Sequence, residues 1–381
     1  MNSTNQLDQI IKGDSISILY SMPENSVDLI FADPPYNLQL KSPLWRPNMT
    51  MVSAVDDEWD KFDDFKAYDE FSINWLTACK RVLREDGTIW VIGSYHNIYR
   101  IGKIMQDIGF WILNDVIWIK SNPMPNFRGV RFTNAHETLL WASQTKSSKY
   151  TFNYHAMKGL SDNEKQMRSD WDLTNPDHWI IPICSGNERI KINGKKAHST
   201  QKPESLLYRI ILSSSNPGDT VLDPFLGTGT TCAVAKKLRR HWIGIEKEED
   251  YIEIAHTRVD NTPVVEIGDD LLIKEVFDVS DKKRRSPKVS FATLLEVGLI
   301  LPGQKLFFRE DLALFAYVMP DGRLYLPDGN KGSIHQTGKL LLGGSPCNGW
   351  DNWYYMEGDL LISIDSLRKQ YIDQFLHPTK G

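Results

Sequence analysis

Asp33-Pro34-Pro35-Tyr36 closes the apolar run VDLIFA at residues 27–32, and these residue types suit one kind of chemistry. Proline fixes φ and lacks an N–H, so Pro34 and Pro35 make a stiff segment whose carbonyls can be turned on a ligand. Asp33 adds a carboxylate acceptor, and Tyr36 a flat ring with a polar tip. The exocyclic amine of a nucleobase is a poor nucleophile because its lone pair is delocalised into the ring. Two acceptors on its N–H bonds localise that pair while an aromatic ring stacks on the base. Asp33 and the Pro34 carbonyl would be the acceptors and Tyr36 the platform. An ordinary strand-terminating turn uses the same residues, so the stretch alone leaves both readings open.

The second chemical stretch is VLDPFLGTGTTCAVAKKL at 221–238, an apolar strand running through a glycine turn into a helix. Gly227 and Gly229 permit a tight turn with close backbone approach, and a helix N-terminus presents unpaired N–H groups. After the strand HWIGI comes Glu246, placed to accept from ribose hydroxyls. Thr230 and Thr231 stand where a dinucleotide site would continue towards a third glycine, and there is no G-x-x-x-x-G-K-[ST] phosphate loop. S-adenosylmethionine, which carries no phosphate, therefore suits the turn better than NAD or ATP.

These stretches need a frame to hold them. Apolar runs at 27–32, 88–93, 110–119, 138–142, 219–222 and 241–245 alternate with amphipathic segments at 64–84, 204–214, 229–239 and 249–259. Strands alternating with helices predict a doubly wound α/β domain over residues 1–265. Ligands of such sheets bind off the carboxyl ends of the strands, where both stretches lie. Residues 121–200 interrupt the rhythm and are expected to be a functional insertion. Residues 266–287 are expected to be a linker. In it DKKRR is either a solvated charge run or a phosphate contact. Residues 288–381, with short runs between Gly, Pro and Asp turns, predict a small β-rich domain.

The 381-residue chain exceeds the size of one usual core. Its formal charge of -5 argues against non-specific coating of nucleic acid but not against a local basic face. Residues 121–210 carry 13 Lys/Arg against 8 Asp/Glu, whereas residues 1–60 carry 3 against 9. The four cysteines, Cys79, Cys184, Cys232 and Cys347, show no metal or disulfide spacing. They are expected to be reduced thiols in a cytoplasmic protein, with no metal and no membrane segment.

IIKGD before the DPPY tetrapeptide, then QKPESLLYRII and DPFLGTGTT, resembles the DNA amino-methyltransferases in which the catalytic half precedes the cofactor half. VIGSYHNI, KSNPMPNF, NAHETLLWAS, GSIH and CNGW extend the resemblance over nearly the whole chain. They are similar to the cell-cycle-regulated DNA adenine methyltransferase family. The resemblance implies methylation of adenine N6 from S-adenosylmethionine, with GANTC as the site, duplex DNA as substrate, its hemimethylated or unmethylated state left open, and a homodimer. It also implies a Rossmann-like methyltransferase sheet with one antiparallel strand. By position, Asp33, Pro34, Pro35 and Tyr36 form the catalytic grip. Asp14, Asp223, Pro224, Phe225, Gly227, Gly229, Thr230 and Glu246 line the cofactor site, and Thr200, Gln201 and Lys202 meet its methionine end. Ser199 replaces a proline of the family, and the stretch at 170–186 is longer than its counterpart.

For base contact the residues offer Arg46, Asn122, Asn126, Arg128 and Arg131, since Arg pairs with guanine and Asn with adenine; phosphate contact or plain surface is the alternative. Ser333, His335, Asn348 and Trp350 form a polar-aromatic set suited to unstacked bases, or else part of a β-domain core with Trp350 buried. Cytosine-N4 methylation shares the pocket logic, although serine more often stands there in place of Asp33. A dehydrogenase, a non-enzymatic DNA-binding module and an RNA substrate are the remaining alternatives.

Overall fold

The computed structural model describes residues 7–38, 60–120, 122–123, 131–160, 170–171, 181, 183–184, 188–192, 195–196, 201–264, 289–372 and 374. Arg46, Asn126, Arg128, Thr200 and the expected linker 266–287 lie outside them.

The chain opens with β1 (Gln9–Lys12), α1 (Ser15–Ser21) and β2 (Val27–Ala32). Next come α2 (Phe65–Val82), β3 (Leu83–Gly93), α3 (Ile98–Asp107), β4 (Trp111–Ile119) and β5 (His136–Ser143). In the insertion the described regular structure is α4 (Tyr154–Leu160) and the two-residue strands β6 (Asp170–Trp171), β7 (Lys191–Ile192) and β8 (Lys195–Lys196). Beyond it lie α5 (Glu204–Ser214), β9 (Thr220–Asp223), α6 (Thr230–Lys237), β10 (His241–Glu246) and α7 (Glu249–Asp260). The helix expected at 204–214 has those bounds, and β3 begins five residues before the expected position 88. Sequence patterning missed β1 and α1, which are too short to show a period, and α3. Yet α3 buries Ile98, Ile101, Ile104 and Met105, an apolar stripe at helical spacing.

One eight-stranded sheet runs in the order β1-β10-β9-β2-β3-β5-β4-β6. All neighbours are parallel except at β5, which runs antiparallel to both β3 and β4. This is the α/β sheet with one reversed strand that the resemblance implies. Helices cover both faces, so central strands such as VDLIFA are apolar almost throughout. On one face α2, capped by Asp64, buries Tyr68, Ser72, Trp75, Cys79 and Val82 along a single stripe.

The expected β-rich region contains helix α8 (Phe291–Glu296), strands β11 (Lys305–Phe308), β12 (Asp311–Val318), β13 (Leu324–Tyr325) and β14 (Lys331–Gly332), and helices α9 (Ile334–Leu341) and α10 (Gly349–Asn352). It ends with β15 (Trp353–Glu357), β16 (Leu360–Ser363) and α11 (Ile364–Tyr371). Its antiparallel sheet has the order β14-β13-β12-β11-β15-β16. Four helices accompany this sheet, more than the strand-like patterning predicts.

Helix α5 joins the two regions. It is buried along nearly its whole length, with Tyr208 Oη donating to the Pro320 carbonyl at 2.9 Å. Beside it Arg209 Nε meets Glu296 Oε1 at 3.1 Å, both residues almost wholly buried. Burial pushes the Glu296 carboxyl up to about 8, with Arg209 only partly offsetting it. A carboxyl raised in the folded state costs stability as it ionises. This contribution therefore falls as pH rises from the ordinary value of 4.5 through about 8. In Glu296→Gln, the thermal midpoint is expected to decline less between pH 5 and pH 8 than in the wild type. Parallel declines in a calorimetric pH series would count against this.

Candidate active site

Four neighbouring parallel strands, β1, β10, β9 and β2, end at one edge of the large sheet, and each delivers an acid there. Asp14 follows β1, Glu246 closes β10, Asp223 closes β9, and Asp33 follows β2. All four line one cavity of about 270 Å³. Pro34, Pro35, Tyr36, Gln201, Lys202, Pro224, Phe225, Gly227 and Thr230 line it too, so the chain's two chemical stretches form one site.

The DPPY segment is held from three sides. Asp60 accepts from the backbone N–H groups of Tyr36 (2.5 Å), Asn37 (2.8 Å) and Leu38 (3.0 Å). These bonds fix a turn in which Asn37 takes φ +52°. Tyr68 Oη donates to the Pro35 carbonyl at 2.9 Å, and Asn97 Nδ2 donates to Tyr68 at 3.2 Å. With the Pro35 carbonyl so engaged, Pro35 stiffens the segment, and among the described residues no hydrogen bond occupies the Pro34 carbonyl on the cavity wall.

The reversed strand β5 brings its first residues to the edge where its neighbours end. Glu137 there accepts from Tyr36 Oη at 3.1 Å and pairs with Lys120 Nζ at 2.6 Å. Lys202 Nζ lies 2.5 Å from Asp33 Oδ2, 3.9 Å from Glu137 Oε2 and 5.4 Å from the Tyr36 ring centroid. Burial would raise the Glu137 carboxyl, but Lys202 and Lys120 outweigh it and hold the group below the usual range. Burial alone would lower the Lys202 ammonium; Asp33 and Glu137 reverse that and keep it protonated. Burial pushes the Asp33 carboxyl up, with Lys202 opposing it. Two carboxylates and two ammonium groups thus compensate one another. Sequence reasoning missed Glu137, Lys120 and Asp60. The available signal was Glu137, an acid just ahead of the apolar run LLWA in β5.

The glycine turn is organised by its acids. Asp223 Oδ2 accepts from Thr231 Oγ1 at 2.5 Å and Oδ1 from the Phe225 N–H at 3.0 Å; burial pushes its carboxyl up to about 7. Glu246 Oε2 accepts from Gly227 N–H at 2.8 Å, while Oε1 takes the N–H groups of Lys247 and Glu248. A carboxylate has about four acceptor sites, so Glu246 keeps capacity for a hydroxyl. Asp14 caps α1 by accepting from Ser17 through Oδ2 alone. Phe225 stands edge-on to Trp75 at 5.3 Å, an aromatic wall to the cavity. Gly229 does not line the cavity. Its φ of +80° starts α6, and an added Cβ would come within 3.0 Å of Ala255, so it serves helix packing.

At the opposite end, Gln201 is fixed at both ends of its amide, accepting from Ile190 N–H and donating to the Glu188 carbonyl. Thr230 Oγ1 donates to the Lys202 carbonyl and accepts from Arg258. This set of groups matches a nucleoside carrying an amino-acid tail: carboxylates to accept from ribose hydroxyls, an aromatic wall for a base, and an ammonium to donate to a carboxylate.

The proposed DNA-contacting residues are more scattered. Asn122 Oδ1 accepts from Ile183 N–H at 3.0 Å, and exposed Arg131 donates to Tyr95 Oη at 2.9 Å. In the C-terminal region Ser333 and Asn348 are helix caps, and His335 Nδ1 accepts from Gly349 N–H. His335 and Asn348 are exposed, but Trp350 is 7 % exposed, with Arg368 over its ring at 4.8 Å. An indole packed into the core cannot serve as an open stacking surface, which corrects the expectation for Trp350. Among the described residues, no group of His, Cys, Asp or Glu could hold a metal ion, and no helix is long and apolar enough to cross a membrane.

Comparison with known proteins agrees with this geometry. Residues 27–257 match the DNA methylase family model, and residues 277–376 match the module described as restriction enzyme adenine methylase associated. The chain is 50 % identical over 374 residues to the Type II methyltransferase M.HinfI of Haemophilus influenzae, covering 98 % of this chain and 99 % of that relative. It is 42 % identical over 252 residues to the Type II methyltransferase M2.DpnII of Streptococcus pneumoniae, covering 66 % of this chain and 89 % of that one. A solved PvuII DNA methyltransferase (cytosine-N4-specific) shares the fold, with a TM-score of 0.51 and 23 % identity over 69 % of this chain and 88 % of that one. The chain therefore belongs to the DNA methylase family: it is a site-specific DNA methyltransferase whose methyl donor is S-adenosylmethionine.

Proposed function

We propose that the enzyme methylates the N6 amine of an adenine flipped out of duplex DNA, in GANTC sites. The observation carrying this is that Asp33, Pro34 and the Tyr36 ring stand together on the wall of the cofactor cavity, with the Pro35 carbonyl taken by Tyr68. Resemblance to the cell-cycle-regulated adenine methyltransferases supports GANTC, duplex DNA as substrate and a homodimer, and the reading of the four cysteines as reduced thiols supports a cytoplasmic location. In this reading residues 1–265 are the catalytic domain, with the insertion at about 121–200, and residues 288–381 bind DNA.

The target amine lies inside the base stack, so the base must leave it, at a cost of a few kcal/mol. Asp33 and the Pro34 carbonyl then accept the two N–H bonds, localising the nitrogen lone pair, while Tyr36 stacks on the ring. Asp14, Phe225, Glu246 and Lys202 would hold S-adenosylmethionine, which when bound would supply the methyl group from its sulfonium, leaving a neutral thioether. The nitrogen forms the new bond to carbon as the carbon–sulfur bond breaks, and the surplus N–H proton passes to Asp33 or to water. Positioning supplies most of the rate. Glu137 holds Tyr36 by its hydroxyl, and Lys120 and Lys202 hold Glu137 ionised.

In nucleoside analysis of DNA incubated with enzyme and labelled cofactor, the mark is expected on N6 of adenine. N4-methylcytosine would select the cytosine reading. Asp33→Ala is expected to abolish transfer while cofactor binding persists, and near-normal turnover would remove Asp33 from catalysis. Glu137→Gln weakens a charge-assisted bond of about 1.5–3 kcal/mol. It is expected to lower kcat by about 10- to 100-fold with little change in cofactor affinity. An unchanged kcat would show that Tyr36 needs no such anchor.

A further inference from the structure

The register of the C-terminal sheet sorts its side chains onto two faces. Leu324, Val318, Ala316, Leu306, Phe308 and Trp353 are all buried on one face. On the other, one row runs across four strands as Lys331, Tyr325, Tyr317 and Lys305. A second row runs Phe315, Phe307 and Tyr354, so the two rows together cover five strands. Both lysines are exposed and the five rings half-buried. Lys305 Nζ lies 4.7 Å from the Phe315 ring centroid and 5.5 Å from that of Tyr317, and Lys331 Nζ lies 5.5 Å from that of Tyr325. No Asp or Glu stands among the paired residues of this face; Glu310, in the adjoining turn, bonds the Tyr354 hydroxyl.

We propose that this open face is a platform for an unpaired stretch of DNA strand, a reading that rests on the proposed function. Rings interleaved with cations match bases interleaved with phosphates: the rings take base faces and the ammonium groups take phosphates. A duplex keeps its base faces stacked and offers the rings nothing. A second copy of this chain docked face to face would bring the lysine rows of the two platforms against each other. Base flipping requires a local break in the stack, so the reaction itself supplies unpaired strand. Five strands at about 4.8 Å spacing make the platform roughly 19 Å wide. Trp353, on the buried face, donates its indole N–H to the Ile334 carbonyl of α9 at 2.9 Å, so the Ser333 and His335 end of α9 lies on the other side of the sheet from the platform.

The test uses the full chain and fluorescence anisotropy, with one labelled oligonucleotide single-stranded and as a duplex, across a salt series. Lys305→Gln with Lys331→Gln is expected to reduce the single-strand slope of log affinity against log salt by about 1.4, or 0.7 per lysine. Tyr317→Ser is expected to weaken single-strand binding about tenfold and duplex binding much less, with the thermal midpoint kept. Wild-type slope and affinity in these variants would overturn the platform. So would equal losses on single strand and duplex, or a halved mass in light scattering, which would assign the face to a second copy. Labelled-methyl transfer by the wild type is measured in parallel. Absence of transfer to any DNA would fail the functional reading, whereas transfer with unaltered binding would fail the platform alone.

Discussion

The contact between Lys202 and Asp33 is the interaction on which the site depends. The two residues are 169 positions apart, one ending the catalytic strand and the other preceding α5. Taking two charges out of water costs several kcal/mol per ion, recovered only with close geometry and further partners. Here the geometry is 2.5 Å, and Glu137, Lys120 and Tyr36 complete the set. Removing one member strands another charge in the interior. The cluster therefore constrains the relative positions of β2, β4, β5 and the segment leading into α5.

That constraint explains two features of the fold. The antiparallel strand β5 puts its first residues, rather than its last, at the edge where its parallel neighbours end, and so delivers Glu137 beneath Tyr36. Helix α5 carries Leu207 on the cavity wall, while Tyr208 and Arg209 engage Pro320 and Glu296 of the C-terminal region. One element thus touches both the cofactor pocket and the second sheet, which fixes the two regions to each other through buried polar contacts.

Much of this was legible in the chain. The sheet strands and α5 announced themselves by apolar runs and helical periodicity, and the DPPY and glycine-turn stretches by residue types that only make sense at strand ends. The missed parts depend on contacts distant in sequence. Lys120 and Glu137 flank the ends of β4 and β5 and have no local signature, since their role appears only when β5 reverses. Asp60 sits in an acid-rich stretch that resembles a solvated loop, yet it clasps three successive N–H groups of the catalytic segment. For Trp350 the sequence left stacking ring and core residue both open, because it shows aromatic character but not the neighbours, Phe291 and Arg368, that pack on it.

The most direct measurement of the central claim is a double-mutant cycle on thermal stability with Asp33→Asn, Lys202→Met and both together. The account predicts strong non-additivity, with Lys202→Met costing far less when Asp33 is already neutral, because no buried carboxylate is then left unpaired. Losses that simply add would contradict it.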